Sequence, residues 1–428
     1  MAIFAQISQI MDNIIIKNIS IGDELLIGQV INTNAAWLGE QLSSAGFQLD
    51  STLTIGDSEK AILDAFNACM DADLVLVTGG LGPTADDITK PTVCKFFDTE
   101  LEFHQEIINH INALLINLNR GFSPSANNRG QAYLPKSCEY IPNNYGTAPC
   151  MWLEKNGVAF AFMPGVPFEM KNIFNEEILP RIKARFQALP YAKRVIMTTR
   201  ISESFLAGVL EEWEKNLPDY MSLAYLPQYG TVRLRLSGRH PDVELLNAAL
   251  DSEVEKLNRL IFDFIFSFED KPIERVVFDL LNNKVMTFAT AESCTGGNIA
   301  HKITLIPGSS QVFKGAAVTY ATPIKTKVLG VPAETIEKHG VVSQEVVEMM
   351  AKGVRELMDA DFGVAVTGVA DPSGGTEITP VGSVWIGVAS PTGVVSELFH
   401  LGRERENVIN RATVMAYEML REAILSHK

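Results

Sequence analysis

The sequence is poor in cysteine, and its five cysteines are not spaced for a shared metal or a disulfide framework. Cys69, Cys94, Cys138, Cys150 and Cys294 are an odd number, and no two of them form a C-x-x-C pair. Disulfide scaffolds and structural zinc sites depend on paired, closely spaced cysteines. The sequence therefore predicts reduced thiols and a cytoplasmic location.

Basic residues and long apolar runs are also scarce. Lys and Arg total 36 against 51 Asp and Glu, which gives a formal net charge of -15. Nucleic-acid backbones are bound by clustered cations, and a bilayer-spanning helix needs a run of about 18 apolar residues. The first twelve residues are too short and too weakly basic for a secretory signal. We expect no nucleic-acid or membrane partner, whereas a small anionic ligand is compatible with this charge.

The composition that remains is that of an ordinary globular protein with two or three domains. The chain has 428 residues, of which 46% are hydrophobic and 20% charged, and domains usually span roughly 100–200 residues. We expect domains over residues 13–185, 192–268 and 272–428. In the first and last, apolar strands alternate with helical segments, which predicts two α/β domains with mostly parallel sheets. The middle segment predicts a small α+β module that acts as a connector or in dimerisation, and a homodimer is the expected assembly.

Two glycine-rich turns follow predicted strands in the first domain. The strand Ile14–Ile21 runs into Gly22-Asp23-Glu24-Leu25-Leu26, and the strand Asp73–Val77 breaks into Thr78-Gly79-Gly80-Leu81-Gly82-Pro83-Thr84-Ala85-Asp86-Asp87. Glycines let a backbone approach a ligand closely, and successive amides form an anion cradle. The carboxylates of Asp86 and Asp87 beside such a cradle fit a divalent cation that bridges them to a phosphate. Alternatively, the two acids only complement a helix N-terminus.

A third cluster, Met163–Met170, completes the candidate nucleotide site of the first domain. Pro164 and Pro167 stiffen this turn, and Gly165 can supply an unusual φ. Glu169 either contacts a ligand or complements the dipole of the helix that it begins. The candidate nucleotide-site residues are Asp23, Glu24, Gly79, Gly80, Gly82, Thr84, Gly165 and Glu169, with Asp86 and Asp87 for the metal.

The last domain carries the segment Ala291-Glu292-Ser293-Cys294-Thr295-Gly296-Gly297. It follows an apolar run, Val285–Thr290, that predicts a strand, and it precedes the helical spacing of Ile299, Ile303 and Ile306. A strand that ends in such a turn directs the backbone N–H groups of the next helix toward a crevice, where they can hold an oxyanion. Ser293 is then a candidate nucleophile. Alternatively, Ser293 and Thr295 only cap the helix, and the glycines only close the turn.

A serine nucleophile needs a base, and the four histidines of this domain (His301, His339, His400 and His427) do not converge on Ser293. A lysine whose pKa is lowered by burial can replace histidine, and Lys325 is the candidate. Tyr320, which ends the predicted strand Ala316–Tyr320, can assist. Because loops after parallel strands gather at one sheet edge, Ser293, Tyr320, Lys325 and Thr367 can share a crevice. Alternatively, Tyr320 is a core aromatic and Lys325 a surface charge.

These motifs together resemble the CinA (competence/damage-inducible) protein family. The first-domain motifs are similar to its molybdopterin-binding-like domain, and the middle segment is similar to a KH-type fold without the G-x-x-G loop that clamps nucleic acid. The Ser293 segment, Val318-Thr319-Tyr320, His339-Gly340-Val341-Val342-Ser343, Thr367-Gly368-Val369-Ala370 and Pro380-Val381-Gly382 are similar to its C-terminal domain. The resemblance implies a metal-dependent ADP-ribose pyrophosphatase and a nicotinamide mononucleotide deamidase.

The resemblance also implies individual roles. Ser293 would be the nucleophile, Lys325 its base and Tyr320 an assisting group. The substrate would be contacted by Thr295, Gly296, Gly297, Ser310, Thr367 and Gly368, with Arg405 as first choice and Arg411 as second choice for its phosphate. The first domain would use Mg²⁺, Mn²⁺ or Co²⁺, possibly with K⁺, and the last domain no cofactor.

Two residues depart from the family pattern, and two other functions remain open. Asp371 stands where relatives typically have glycine, and Thr379 replaces a common lysine. Both changes make the presumed phosphate site less positive. The leading interpretation is a bifunctional hydrolase that acts on both nucleotides. The alternatives are a non-catalytic nucleotide-binding regulator linked to competence or DNA damage, and a molybdopterin-binding protein.

Overall fold

The computed structural model describes residues 14–82, 88–117, 129–372 and 374–427. They form two compact units. Unit 1 contains the described residues up to Tyr191 together with Arg239–Val243, and unit 2 contains Ala192–Gly238 and the described residues from Glu244 onward. Among the described helices, none is both long and apolar enough to cross a membrane. All five cysteines lie in the described part and are unpaired.

A six-stranded sheet forms the centre of unit 1, with the strand order β2-β1-β3-β8-β7-β6. Strands β2, β1, β3 and β8 are mutually parallel, whereas β7 and β6 are antiparallel additions. Strands β4 and β5 form a separate two-stranded ribbon. The strands are β1 (Ile16–Ile21), β2 (Leu49–Ile55), β3 (Leu74–Thr78), β4 (Leu101–Phe103), β5 (Tyr133–Pro135), β6 (Glu139–Ile141), β7 (Cys150–Lys155) and β8 (Val158–Met163).

Helices cover both faces of this sheet. Every residue of β3 is buried, and its side chains alternate between two hydrophobic clusters. Val75 and Val77 pack in one cluster with Phe66, while Leu74 and Leu76 pack in the other with Leu38. The helices are α1 (Asp23–Leu26), α2 (Thr33–Ser44), α3 (Glu59–Ala68), α4 (Thr89–Phe96), α5 (Gln105–Asn117), α6 (Pro167–Ile173) and α7 (Leu179–Arg185), with a wide π-helical turn (Phe174–Ile178) that joins the last two. This arrangement confirms the α/β prediction.

The middle segment forms a small α+β module whose sheet has the order β10-β11-β9-β12. Strands β10 and β11 form an antiparallel hairpin with a turn at Tyr229-Gly230, as predicted. Along β11, Val232 and Leu234 are buried, whereas Arg233 between them is only half-buried, so the alternation is that of a half-exposed strand. Its elements are β9 (Tyr191–Thr199), α8 (Glu203–Lys215), β10 (Met221–Gln228), β11 (Thr231–Arg239), α9 (Val243–Ile261) and β12 (Ile265–Ser267).

The last segment folds around a five-stranded sheet with the order β14-β13-β15-β16-β17. Strands β14, β13 and β15 are parallel, so their carboxyl ends lie at one edge, whereas β16 and β17 are antiparallel. The elements are α10 (Ile273–Lys284), β13 (Phe288–Glu292), α11 (Asn298–Thr304), β14 (Phe313–Val318), α12 (Thr322–Leu329), α13 (Ala333–His339), α14 (Gln344–Leu357), β15 (Phe362–Gly368), β16 (Ser383–Ser390), β17 (Gly393–His400) and α15 (Arg405–Ser426).

The prediction that a strand begins at Val285 is wrong. Val285 has a φ of 55° and ends α10 in the left-handed region, and its side chain is 90% exposed. Its N–H group donates to the carbonyl oxygen of Asn282 at 3.3 Å. The first fully buried residue of the run is Phe288, where β13 begins. The helix-ending hydrogen bond therefore overrides the strand preference of a β-branched residue.

Within unit 2, the middle module shares a hydrophobic core with the last segment. Met197 of β9 and Phe266 of β12 pack in the same cluster as Ile273 and Tyr417. The guanidinium group of Arg200 donates to Glu397 at 2.9 Å and to Glu422 at 3.2 Å. These contacts hold the module against β17 and α15.

Candidate active site

Two side chains meet at the carboxyl edge of the unit 2 sheet. Ser293 follows β13 directly, and Lys325 lies in α12, which follows β14. The Nζ atom of Lys325 donates to Ser293 Oγ at 3.0 Å. Because the two parent strands are adjacent and parallel, the fold brings together residues that are 32 positions apart. A hydroxyl beside an amine is the arrangement that a lysine-activated serine requires.

Burial changes the chemistry of this amine. Lys325 is 1% exposed, and removal from water lowers the pKa of its ammonium group below the ordinary value of 10.5. Its Nζ atom also donates to the carbonyl oxygens of Thr319 at 2.7 Å and Tyr320 at 3.4 Å, which orient it toward the serine. Desolvation favours the neutral amine, the form that accepts a proton. The alternative of a surface lysine is wrong.

Tyr320 is not a core aromatic, because 58% of its side chain is exposed. Its phenol oxygen accepts a hydrogen bond from Arg405 Nη2 at 2.8 Å, and Arg405 is the first residue of α15. The tyrosine and the arginine therefore form a polar pair beside the lysine-bearing segment. This pair is exposed enough to receive an anion.

Sequence reasoning missed Glu292, the residue before the serine. Its carboxylate is fully buried and accepts hydrogen bonds from the backbone N–H groups of Gly297 (3.0 Å), Ile299 (3.1 Å) and Ala300 (2.9 Å). The Thr295 hydroxyl donates to the same carboxylate at 2.7 Å. Glu292 therefore caps α11 and holds the turn around Ser293. Glu292 ends a strand of small residues just before the turn, which is the signal that could have suggested it.

This cap corrects the expected oxyanion site. The amides of Gly297, Ile299 and Ala300 are occupied by Glu292, so they are not available to an oxyanion. In the described part of the chain, the amides of Cys294 and Thr295 donate to no acceptor in another residue, which leaves them for this role. Gly296 (φ 62°) and Gly297 (φ 101°) adopt the left-handed conformation that closes the turn. The Thr295 side chain serves the cap rather than facing a ligand.

Four other residues that were predicted to contact the substrate have other partners or lie elsewhere: Thr367, Gly368, Ser310 and Arg411. The Thr367 hydroxyl donates to the carbonyl oxygen of Val341 at 2.9 Å, and the residue is 1% exposed. A Cβ atom on Gly368 would lie 2.7 Å from Val384, so this glycine serves strand packing. Ser310 precedes β14, at the amino edge of the sheet and opposite Ser293. Arg411 donates to the carbonyl oxygen of Leu401 at 3.1 Å.

The glycine turns of unit 1 line a cleft of about 720 Å³. A Cβ atom on Gly79 (φ 99°) would lie 2.2 Å from the carbonyl oxygen of Ile21, and one on Gly165 would lie 3.3 Å from Gly79 Cα. Gly80 (φ 65°) is equally constrained, by the side chain of Thr89. These positions therefore leave no room for a side chain, so the two turns pack closely at the cleft. Gly82 also lines the cleft.

Carboxylates surround this cleft. Asp23 and Asp57 are linked by reciprocal hydrogen bonds, each from a backbone N–H group to the other's side chain at 3.2 Å. Glu169 accepts a hydrogen bond from Asn143 Nδ2 at 2.7 Å, and Glu24 also lines the cleft.

Thr84, Asp86 and Asp87 lie outside the described residues. Among the described residues, no cluster of three or more His, Cys, Asp or Glu side chains could hold a metal ion. The described carboxylates alone therefore do not fit a metal centre.

Comparison with known proteins identifies the family. A model of the CinA C-terminal domain matches residues 270–424, one of a probable molybdopterin binding domain matches residues 17–184, and one of the damage-inducible protein CinA KH domain matches residues 193–267. The chain is 42% identical over 411 residues to a CinA-like protein from Flavobacterium psychrophilum, covering 96% of this chain and 98% of the relative. The chain belongs to the CinA family.

Two further relatives of the CinA family support this assignment along the whole length. A CinA-like protein from Cytophaga hutchinsonii is 40% identical, covering 95% of this chain and 97% of its own. A putative competence-damage inducible protein from Caldicellulosiruptor saccharolyticus is 37% identical, covering 96% of this chain and 99% of its own. The three family models follow each other in the order that the sequence motifs predict.

Asp371 and Thr379 lie in the loop between β15 and β16. The hydrogen bond from Arg405 to Tyr320 raises the pKa of the guanidinium group, and the negative charge of Asp371 adds to this rise. Asp371 therefore acts on the arginine that is the first choice for a substrate phosphate. The Thr376 N–H group donates to the carbonyl oxygen of Thr379 at 2.9 Å, and the Thr379 N–H group donates to the Thr376 hydroxyl at 3.0 Å, which closes the loop.

Proposed function

We propose that unit 2 is a serine amidohydrolase that converts nicotinamide mononucleotide to nicotinate mononucleotide and ammonia. The observation that carries the proposal is the 3.0 Å hydrogen bond between Lys325 and Ser293, together with the burial of the lysine. A buried lysine, whose pKa desolvation lowers, in contact with a hydroxyl can supply the base for a serine nucleophile. The family membership and the intact positions of Ser293, Lys325 and Tyr320 support the choice of substrate.

In the first half-reaction, Ser293 Oγ attacks the carboxamide carbon while Lys325 Nζ takes the hydroxyl proton. The oxyanion that develops would accept hydrogen bonds from the Cys294 and Thr295 amides, which donate to no acceptor in another described residue. The tetrahedral intermediate then collapses. The C–N bond breaks, Lys325 returns the proton to the leaving nitrogen, and ammonia departs from an acyl-serine ester.

In the second half-reaction, a water molecule attacks the ester carbonyl, and Lys325 accepts its proton. The bond from carbon to Ser293 Oγ breaks, and Lys325 returns the proton to the serine. The carboxylic acid product loses its own proton to solvent and leaves as a carboxylate. Glu292 takes no part in these transfers. Its hydrogen bonds to the turn keep Ser293 directed at Lys325, which removes the need to reorganise the site during each step.

The exposed pair of Arg405 and Tyr320 is assigned to the substrate phosphate. A guanidinium group binds a phosphate through two parallel hydrogen bonds, so Arg405 would exchange its bond to the Tyr320 oxygen for bonds to the ligand. The phenol group of Tyr320 would then be free to form a hydrogen bond near Lys325.

The test is ammonia release from nicotinamide mononucleotide by the full chain without added metal. We expect release by the intact protein and none by Ser293→Ala or Lys325→Met. Ser309→Ala is the matched control, because Ser309 lies with Ser310 at the opposite sheet edge, and it should keep full activity. Ammonia release by Ser293→Ala, or no release by the intact protein, would contradict the proposal.

We further propose that unit 1 is a pyrophosphatase that cleaves ADP-ribose to AMP and ribose phosphate. The supporting observation is the cleft lined by the turns at Gly79 and Gly165, which pack so closely that a Cβ atom on Gly165 would lie 3.3 Å from Gly79 Cα. Turns without side chains can bring successive backbone N–H groups close to a pyrophosphate, and such amides can hold an anion. The requirement for a divalent metal stays a prediction that depends on Asp86 and Asp87.

AMP release from ADP-ribose tests this second activity. We expect release that stops in excess chelator, returns with Mg²⁺, Mn²⁺ or Co²⁺ and is lost in Asp86→Asn. Turnover that survives chelation would contradict the metal requirement. Binding of either nucleotide without turnover would favour the regulator alternative, and fluorescence of a copurified pterin would favour the molybdopterin alternative.

A further inference from the structure

Unit 2 also contains a cavity whose lining does not include Ser293 or Lys325. It has a volume of about 710 Å³ and lies between the turn of the β10–β11 hairpin and the helices α10, α11 and α15. Binding sites for small molecules usually fall within about 300–1,000 Å³ and often lie where two domains meet. The cavity is therefore large enough for a nucleotide.

The hairpin turn on one side of this cavity is fixed against α15 on the other side. The hairpin turn packs closely on α15, because a Cβ atom on Gly230 would lie 3.2 Å from Val414. The Thr199 hydroxyl holds the same turn through a 3.1 Å hydrogen bond to the Gly230 carbonyl oxygen. Arg200 pairs with Glu422 of α15 at 3.2 Å. The cavity is thus part of a fixed interface and not a gap between loosely joined modules.

The charges that line the cavity favour an anion. Its charged lining residues are Lys302, Arg411 and Glu274, which give a net charge of +1 in a protein whose overall charge is -15. Among the described residues, none of the three forms an ion pair within 4.0 Å. The guanidinium group of Arg411 donates from Nη1 to the Leu401 carbonyl oxygen at 3.1 Å, and its other N–H groups make no hydrogen bond to a described residue. Two such cations are a natural site for a phosphate.

The remaining lining favours a planar ring attached to polar groups. Tyr229 is 48% exposed and presents a ring at the cavity wall, with Phe266 and Val414 as apolar neighbours. Aromatic side chains stack well on bases. The carboxylate of Glu274 can accept hydrogen bonds from sugar hydroxyl groups or from an exocyclic amine.

We propose that this cavity binds a nucleoside monophosphate, with the phosphate on Lys302 and Arg411, the base on Tyr229 and a donor group on Glu274. The site includes Arg411, the second choice for the amidase phosphate, but its lining contains none of Ser293, Lys325, Tyr320 and Arg405. The proposal goes beyond the two hydrolytic activities and does not depend on either.

The experiment is a calorimetric titration of the full chain with AMP in the presence of a chelator. We expect saturable binding that Lys302→Glu weakens by roughly tenfold or more, because it replaces a charge-assisted hydrogen bond by repulsion. Lys314→Glu is the matched control, an exposed lysine of β14 that does not line the cavity, and it should bind AMP as the intact chain does. Arg405→Ala should also retain binding, which separates this cavity from the Ser293 crevice.

Adenosine and inorganic phosphate, used as separate probes, should each bind more weakly than AMP because each lacks half of the contacts. Tyr229→Ala gives an independent test if Lys302→Glu does not fold by circular dichroism, since the exposed ring can be removed without opening the core. Absence of AMP binding to the intact chain would overturn the proposal. So would binding that both Lys302→Glu and Tyr229→Ala leave unchanged.

Discussion

Lys325 Nζ contacts Ser293 Oγ at 3.0 Å from within an environment that excludes water. Burial, which disfavours the ammonium form, lowers the pKa of this amine. The hydroxyl therefore faces a group that can be uncharged at a lower pH than a surface lysine. Two predictions follow from this one relationship.

The pH dependence of the amidase should follow Lys325. Only the neutral amine accepts a proton from Ser293, so kcat/KM should rise with pH through the pKa of Lys325 and level off above it. Because that pKa is lowered, the rise should occur below the ordinary value of 10.5. Lys325→Arg should be inactive at every pH, since a guanidinium group stays charged. A rate that does not change with pH in the intact enzyme would contradict this assignment.

The same pKa shift makes stability depend on pH. Between the lowered pKa of folded Lys325 and the ordinary pKa of the unfolded chain, the unfolded state binds more protons, so the unfolding free energy rises with pH. Below the folded pKa, the full penalty of a buried charge is present. Lys325→Met removes this group, so its stability advantage over the intact protein should be largest at low pH and shrink as pH rises. Urea unfolding at several pH values measures the difference, and a constant difference would contradict the prediction.

Glu292→Gln should damage both stability and catalysis. The amide that replaces one carboxylate oxygen is a donor and cannot accept from the N–H groups of the α11 terminus, which leaves buried groups unsatisfied. We expect a loss of about 1–3 kcal/mol in unfolding free energy, together with a lower kcat at unchanged KM because Ser293 is no longer held toward Lys325.

Glu356→Gln is the matched control for the change at Glu292. Glu356 is an exposed residue of α14, and its substitution should alter the unfolding free energy by less than about 0.5 kcal/mol. Urea unfolding and steady-state kinetics check both variants. Equal stability and equal kcat for Glu292→Gln and the intact protein would show that the cap does not position the serine.

Asp371→Gly should lower KM for nicotinamide mononucleotide. The Asp371 charge acts on Arg405 and competes with the substrate phosphate for it. Removal of an exposed charge of this kind changes binding by about two- to fivefold, with kcat unchanged. Glu377→Gly, in the same loop, should leave KM unaltered. A KM that rises in Asp371→Gly would indicate that the carboxylate helps to bind the substrate.

Gly79→Ala should destabilise unit 1 by more than the cost of its positive φ alone, and it should also abolish ADP-ribose turnover. Gly157 has a similar φ of 88° but open space around its missing Cβ atom, whereas Gly79 has the Ile21 carbonyl oxygen at 2.2 Å. Gly157→Ala should therefore cost only the left-handed penalty of about 1–2 kcal/mol. Gly79→Ala should cost more and also abolish ADP-ribose turnover. Thermal unfolding and AMP release compare the two, and equal losses would contradict the role of the close contact.

Much of the fold could be predicted because the strands concerned are buried on both faces. The run from Leu74 to Val77 is apolar throughout, which is typical of a central parallel strand. Strands β2 and β17 were missed because each lies at a sheet edge, where alternate residues are exposed and the sequence becomes less apolar.

The candidate site could be predicted in part. Ser293 and Lys325 each come after the end of a strand in the sequence. Because β13 and β14 are adjacent and parallel, their carboxyl ends lie side by side, and the sequence could therefore predict that the two residues are close. The sequence left open whether Lys325 is buried or a surface charge and whether Tyr320 lies in the core, because the exposure of both depends on how α12 packs. The position of Ser310 at the opposite edge follows from the direction of β14.

Local sequence by itself determined the family, the α/β class and the residue types at the reacting centre, because strand periodicity and turn chemistry are short-range properties. Only the tertiary structure decided that Lys325 is desolvated and that Glu292 occupies the helix amides. It also decided that a cavity forms where the KH-type module packs on α15. Burial, hydrogen-bond competition and the space between packed elements depend on groups that are distant in the chain, so no local pattern can specify them.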